Sequence, residues 1–251
     1  MTDTTSQPVH RFSLPRFFAV LFRPRSAFAE MASESRLTWS TPMLVLSVTA
    51  LLVVLAAGYL KTRAAMMGEI TLPPDWQWWT PEMQERYMRA QQATQGPVFA
   101  YVIPLVGAWT RLWVGWLVLS GLLHLGSTLS GGRGTMQGSL NVVAWANVPF
   151  ALRDILRLVF MLVTGRAIAN PGLSGFTSAS GFVSHLLTRT DIFLVWSMIL
   201  LVVGLAAADG LTKGKSFAIV LIVLILFLLT SAGLDALGSG LSGSVIQRPF
   251  F

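Results

Sequence analysis

Residues 216–234, SFAIVLIVLILFLLTSAGL, run for nineteen positions without a charge. A stretch of that length and character fits one solvent, hydrocarbon, because about 20 apolar residues in a helix cross a bilayer core. Inside that core every backbone N–H and C=O must be paired internally, so only helices and closed barrels can span it. An unbroken run, with no alternation of apolar and polar positions, reads as the helical choice. Other long apolar runs, some interrupted by a charge, recur at 42–60, 104–129, 140–163 and 191–208. The expectation is an all-α polytopic membrane helix bundle of about five transmembrane helices.

Composition agrees. Apolar residues make up 53% of the 251 and charged residues 12%, with a mean hydropathy of +0.64. A soluble domain carries about 25% charged residues, so this chain has too little polar surface to coat a globule. Its net charge of +7 comes from arginines set between apolar runs, where lipid headgroups and topology account for them without nucleic acid. The absence of cysteine excludes disulfides and thiolate sites. The first residues, MTDTTSQPVHRFSLPRFF, lack the order of a cleavable signal peptide.

Residues 1–10 are polar and read as disordered. The segment 11–40 mixes Phe, Leu and Val with arginines, which suits an N-terminal interfacial amphipathic helix broken at Pro24, with Arg16, Arg23 and Arg25 meeting lipid headgroups. The membrane domain covers 41–234, its first span opening with Thr41 as N-cap and Pro42 at the first helical position. Between the first two spans lies a Trp-rich loop, 61–97. There Trp76, Trp78 and Trp79 precede a short helix capped by Thr80, starting at Pro81 and ending near Gly96. In the second run Arg111 either closes an interface belt with the neighbouring tryptophans, leaving an elbow at Pro104, or sits near midplane. The belt is cheaper, since a bare midplane arginine costs about 2.5–3.5 kcal/mol on insertion scales. DGLTKGK joins the last two spans as an antiparallel hairpin, and 235–251 forms a tail with a Gly/Ser linker at 238–244. Five spans put the termini on opposite sides. The basic leader and the TKGK turn favour a cytoplasmic N terminus.

The run 140–163 contains Asn141, Asn147, Pro149, Arg153, Asp154 and Arg157. At 100° per residue Asn147, Asp154 and Arg157 share about 80° of arc, and Arg153 widens it to about 120°. Such a stripe is expensive against lipid and should face protein or a water-filled crevice. Asp154 is spaced to pair with Arg157, and Pro149 predicts a kink. A conduction site and a structural kink both fit this stripe, though two arginines would hold Asp154 ionised and unfit for a proton relay.

Other motifs offer little chemistry. SGGRGTMQGS (130–139) lacks the Lys-Ser/Thr ending and preceding strand of a phosphate loop and reads as a flexible turn, with Arg133 free to meet anionic lipid. His10, His124 and His185 are isolated, so no metal is expected; His124 reads as a packing residue and His185 as a loop residue. GLSGF (172–176) is short of a nucleophile elbow. No general-acid/base pair emerges, and the chain does not read as an enzyme or a cofactor binder.

Three stretches carry a resemblance: the leader LFRPRSAFAEM, the central SGGRGTMQGSLNVVAWANVP with its Gly-rich turn and Trp-Ala-x-x-Pro, and DIFLVWSMILLVVGLAAADGLTKGKSFAIVLIV near the end. Together they are similar to the bacterial branch of the Yip family, five-span membrane proteins first known as Rab-GTPase interactors. The resemblance covers most of 17–234; the 61–97 loop stands outside it. It implies a non-catalytic protein with a cytosolic N terminus in the bacterial cytoplasmic membrane, acting as an accessory or adaptor subunit of a membrane complex such as an ABC-type exporter. Its partners would be the bilayer and a membrane protein or a second copy, reached through Trp76, Trp78, Trp79 and Arg111. The alternatives are a small transporter or channel using the Asn147, Arg153, Asp154 and Arg157 stripe, or a membrane-shaping, lipid-binding protein.

Overall fold

The computed structural model describes residues 14–34, 37–68, 72–73, 75–93, 96–168, 170–177 and 181–243. The expectations for residues 1–10, His10 included, lie outside them. Within them the chain is all-α: α1 (Leu14–Phe22), α2 (Pro24–Ser33), α3 (Ser40–Met66), α4 (Pro81–Ala93), α5 (Ile103–Leu129), α6 (Met136–Ala146), α7 (Val148–Thr164), α8 (Gly181–Arg189), α9 (Ile192–Asp209) and α10 (Lys213–Gly243). Four helical segments are long and apolar enough to cross a membrane: Ser40–Met66, Val98–Leu129, Ile192–Asp209 and Lys213–Leu237. The chain divides into two compact units. The first holds Met1–Leu46, Gly115–Phe150 and Asn170–Phe251, the second Ser47–Val114 and Ala151–Ala169.

In the first unit α2, α6 and α10 all pack on α9. Gly204 of α9 makes the junction: a Cβ there would stand 2.7 Å from Val142 Cγ1 and 2.9 Å from Phe28 Cε1. Only a bare backbone lets α2 and α6 come so close. Phe28, Val143, Trp145, Leu201, Leu205 and Val220 fill the surrounding core, each essentially without exposure.

The leader divides as its proline predicts, with Pro24 in the first turn of α2. Its two helices use their apolar sides differently. Those of α2 (Ala27, Phe28, Met31) are buried in protein, whereas Phe18 and Phe22 of α1 are exposed. Arg23 and Arg25 are exposed, but Arg16 is held inside the unit by Glu34 at 2.6 Å and Glu30 at 3.2 Å. Burial works against its charge; the two carboxylates outweigh that and raise its pKa above the ordinary arginine value.

The helix of the first span opens at Ser40, with Trp39 O accepting from Met43 N at 3.1 Å, so Thr41 lies inside the first turn rather than capping it. The cap comes instead from across the unit. Buried Asn141 of α6 places Oδ1 at 2.9 Å from Thr38 N and 3.1 Å from Trp39 N. Two further indole donors tie the same corner: Trp145 Nε1 to Thr38 Oγ1 at 3.0 Å and Trp116 Nε1 to Leu140 O at 2.9 Å.

The run 140–163 is not one kinked helix. It breaks at Asn147, between α6 and α7. Pro149 falls in the first turn of α7, where its missing N–H is not needed, so the break precedes the proline. At 1.5 Å per residue, α6 and α7 are about 16 and 25 Å long, each short of the roughly 30 Å hydrocarbon core. Two features were not foreseen. Residues 172–176 form a 3₁₀ turn, and α8 follows it, placing His185 on a helix rather than in a loop. Helix α10 also runs to Gly243, through the expected linker, and Arg189 of α8 grips it by Asp235 at 2.5 Å.

In the second unit Gly58 of α3 meets the chain at Ala100 and Tyr101; a Cβ would lie 2.7 Å from Ala100 O and 2.5 Å from the Tyr101 ring. There the backbone takes one π-helical turn, Val98–Val102, with Ile103 N bonding back to Val98 O. Pro104 follows without an N–H for Ala100 O. The irregularity therefore sits just before the proline, rather than as an elbow at it. Trp76, Trp79 and Tyr87 pack with ring centroids 5.5–5.6 Å apart. Gln84 Nε2 donates to Trp76 O and Trp79 O at 3.2 and 3.3 Å. Thr80 caps α4 as expected, accepting from Met83 N at 3.3 Å.

Candidate functional site

The polar stripe of the sequence is divided by the Asn147 break. Asn147 Oδ1 accepts from Ser197 Oγ at 3.3 Å within the first unit. In the second, Arg153 Nε stands 3.5 Å from Asp154 Oδ1, a neighbour in sequence, and Asp154 and Arg157 both have further partners. Arg111 is exposed and has a partner. Trp78 is 81% exposed, while Trp76 and Trp79 stack on Tyr87.

The site with the most unspent polarity lies elsewhere, around the Gly-rich turn between α5 and α6. Helix α5 ends at Leu129, and Gly131, with φ +88°, reverses the chain. Gly132 N bonds to Ser127 O at 2.9 Å and Arg133 N to Asp209 O at 3.1 Å. Thr135 then starts α6, its Oγ1 accepting from Gly138 N at 3.1 Å. The turn is thereby laid over the last residue of α9.

That residue is Asp209, 3% exposed, and neither carboxylate oxygen has a hydrogen-bond partner. Its position is the least favourable a carboxylate can take. It is buried, and it sits at the negative end of a helix dipole. Ser127 (1% exposed) also carries a buried hydroxyl without a hydrogen-bond partner, and His124 Nδ1 another unpartnered atom. The glycines make room for these groups. A Cβ on Gly134 would overlap Asp209 Oδ1, and one on Gly132 would overlap Ser127 Oγ and come within 3.3 Å of Asp209 Cβ. Ser139 of α6 and Ser216 of α10 are further buried hydroxyls without partners.

Gly134 also lines a cavity of about 330 Å³, with Glu34, Arg133, Thr135, Gln137 and Asn141 as its polar wall. Lys215 Nζ donates to Ser130 O at 3.1 Å on the same turn. Sequence reading missed this centre because Asp209 stands in DGLTKGK, where Asp-Gly reads as an exposed turn. The glycine signal was visible, but the acid it serves, Asp209, stands in a distant stretch of the chain.

The family model of the Yip1 domain matches residues 18–234, most of the chain. The chain belongs to the Yip1 domain family. Neither curated proteins nor solved structures give a match. Within the Yip1 match fall the Gly-rich turn, the break at Asn147 and Asp209; the match also spans 61–97, which the resemblance had left out. The protein is a multi-pass membrane protein of this family.

Proposed function

We propose that this Yip1-domain protein is a non-catalytic accessory subunit that docks on a larger assembly in a bacterial cytoplasmic membrane, with its N terminus in the cytoplasm. One observation carries this reading: the 76–93 segment is tied together by its own side chains yet leaves Trp78 exposed. Trp76, Trp79 and Tyr87 lock together and Gln84 pins the turn, which leaves Trp78 81% exposed on a fixed support. Exposed, pre-ordered tryptophan is the residue type that dominates binding hot spots. An exporter of the ABC type is the partner we favour. Affinity purification in mild detergent tests it: the wild-type chain should bring down a stoichiometric membrane partner, and Trp78→Ala should lose about 90% or more of it, as a hot spot above about 2 kcal/mol requires. Recovery of the chain alone would overturn the reading.

A second reading has its own observation. Helix α1 exposes Phe18 (60%) and Phe22 (75%), and Arg23 and Arg25 beside it are exposed too. This is the surface of a helix lying in the headgroup layer. In nanodiscs an environment-sensitive label at Phe22→Cys should move to an apolar signal as anionic lipid is added; an unchanged spectrum would sink this role.

A further inference from the structure

We propose that Asp209, with Ser127, forms a binding site for a small monovalent cation, for which sodium is the natural probe. This goes beyond the accessory-subunit reading and does not depend on it. A carboxylate stripped of water is paired, bound to a cation or protonated, and the test below separates the last two. Neither Asp209 oxygen makes a hydrogen bond of normal geometry; the side chains that act on it are the Ser127 hydroxyl and His124. Helix α9 ends at this residue, so the dipole directs partial negative charge to the same point, which repels a carboxylate and attracts a cation. Helix C-terminal ends that hold Na⁺ inside membrane proteins use this geometry.

The ligand atoms are oxygens throughout: Asp209 Oδ1 and Oδ2 and the buried Ser127 Oγ, all without partners. Hard cations take such ligands. One carboxylate balances one positive charge, and no group of three or more His, Asp or Glu suited to a metal exists among the described residues. That favours a monovalent ion over Ca²⁺ or Mg²⁺. Of the basic side chains nearby, Lys215 Nζ is exposed and bonded to Ser130 O, Arg133 lines the 330 Å³ cavity, and His124 acts on the carboxylate at a distance, its Nδ1 making no hydrogen bond. Gly132 and Gly134 form the lid, and their missing side chains leave the oxygens room. Gly134, packed against Asp209 Oδ1, also forms part of the cavity wall.

The test uses the full chain in detergent, with unfolding followed by tryptophan fluorescence while NaCl replaces choline chloride at constant ionic strength. A saturable upward shift of Tm by a few °C is expected for wild type. Asp209→Asn should abolish the shift, and Ser127→Ala should move its midpoint to higher sodium. Should Asp209→Asn fail to fold, saturable ²²Na⁺ binding to wild type, weakened in Ser127→Ala, decides in its place. No difference between sodium and choline, an equal shift in Asp209→Asn, or a stability that responds to pH alone would each overturn the site. A missing partner in the purification experiment would leave this result untouched.

Discussion

Helices α6 and α7 derive from one apolar run, yet they meet different surroundings. In α6, Ser139 and every residue from Asn141 to Ala146 are buried by protein. In α7, Ile155, Leu156, Val159, Phe160, Leu162 and Val163 are all at least 44% exposed. Hydropathy cannot separate the two, because leucine is equally content against lipid and against protein. What separates them is the polar content each can satisfy. Asn141 finds the two N–H groups before α3, and Trp145 finds Thr38. In α7 Arg153 pairs with Asp154 next to it, and much of the rest of the helix is an exposed apolar surface suited to acyl chains. A half-run that is fixed by specific partners and a half-run that needs only a solvent should respond differently to mutation.

The largest contrast is expected at Trp145→Ala. The side chain has no exposure, and its removal from α6 should cost about 3–5 kcal/mol, read as loss of folded protein in detergent. Next comes Asn141→Ala, which strands the half-buried Thr38 and Trp39 donors; about 1–3 kcal/mol should be lost, visible as a lower Tm with the fold retained. The smallest effect belongs to α7: Phe160→Ala, at a position 46% exposed, should stay within about 0.5 kcal/mol. A bilayer-soluble thiol probe should also label Val159→Cys and spare Val143→Cys. If Phe160→Ala destabilised as strongly as Trp145→Ala, α7 would be packed on protein and the contrast would collapse.

Local features of the fold were legible where one chemical rule dominates. Pro24 and Pro81 start helices, Thr80 caps α4, and Gly210 ends α9 in a left-handed conformation beside the expected turn. Where two rules compete, the sequence misleads. Pro149 predicts a kink at itself, but proline fits the first turn of a helix so well that the break moved to Asn147. The Gly/Ser composition of 238–243 predicts a linker, yet the helix begun at Lys213 continues to Gly243, each added residue gaining a backbone bond. For the site the balance is poorer. The charged stripe stood out because charge in an apolar run is conspicuous; the Asp209 centre did not, since its glycines, serines and acid come from separate stretches.

What the sequence by itself determined is the solvent and the secondary structure: long uncharged runs must be helices in a bilayer, whatever they touch. Only the tertiary structure decided which apolar residues lie against protein. It alone buried Asp209 beneath the glycines of 132 and 134 and brought Asn141 to the two N–H groups, 102 and 103 residues earlier in the chain, that precede a helix. Hydrogen bonds and close contacts between distant segments depend on ångström-scale placement, and hydropathy carries no record of it.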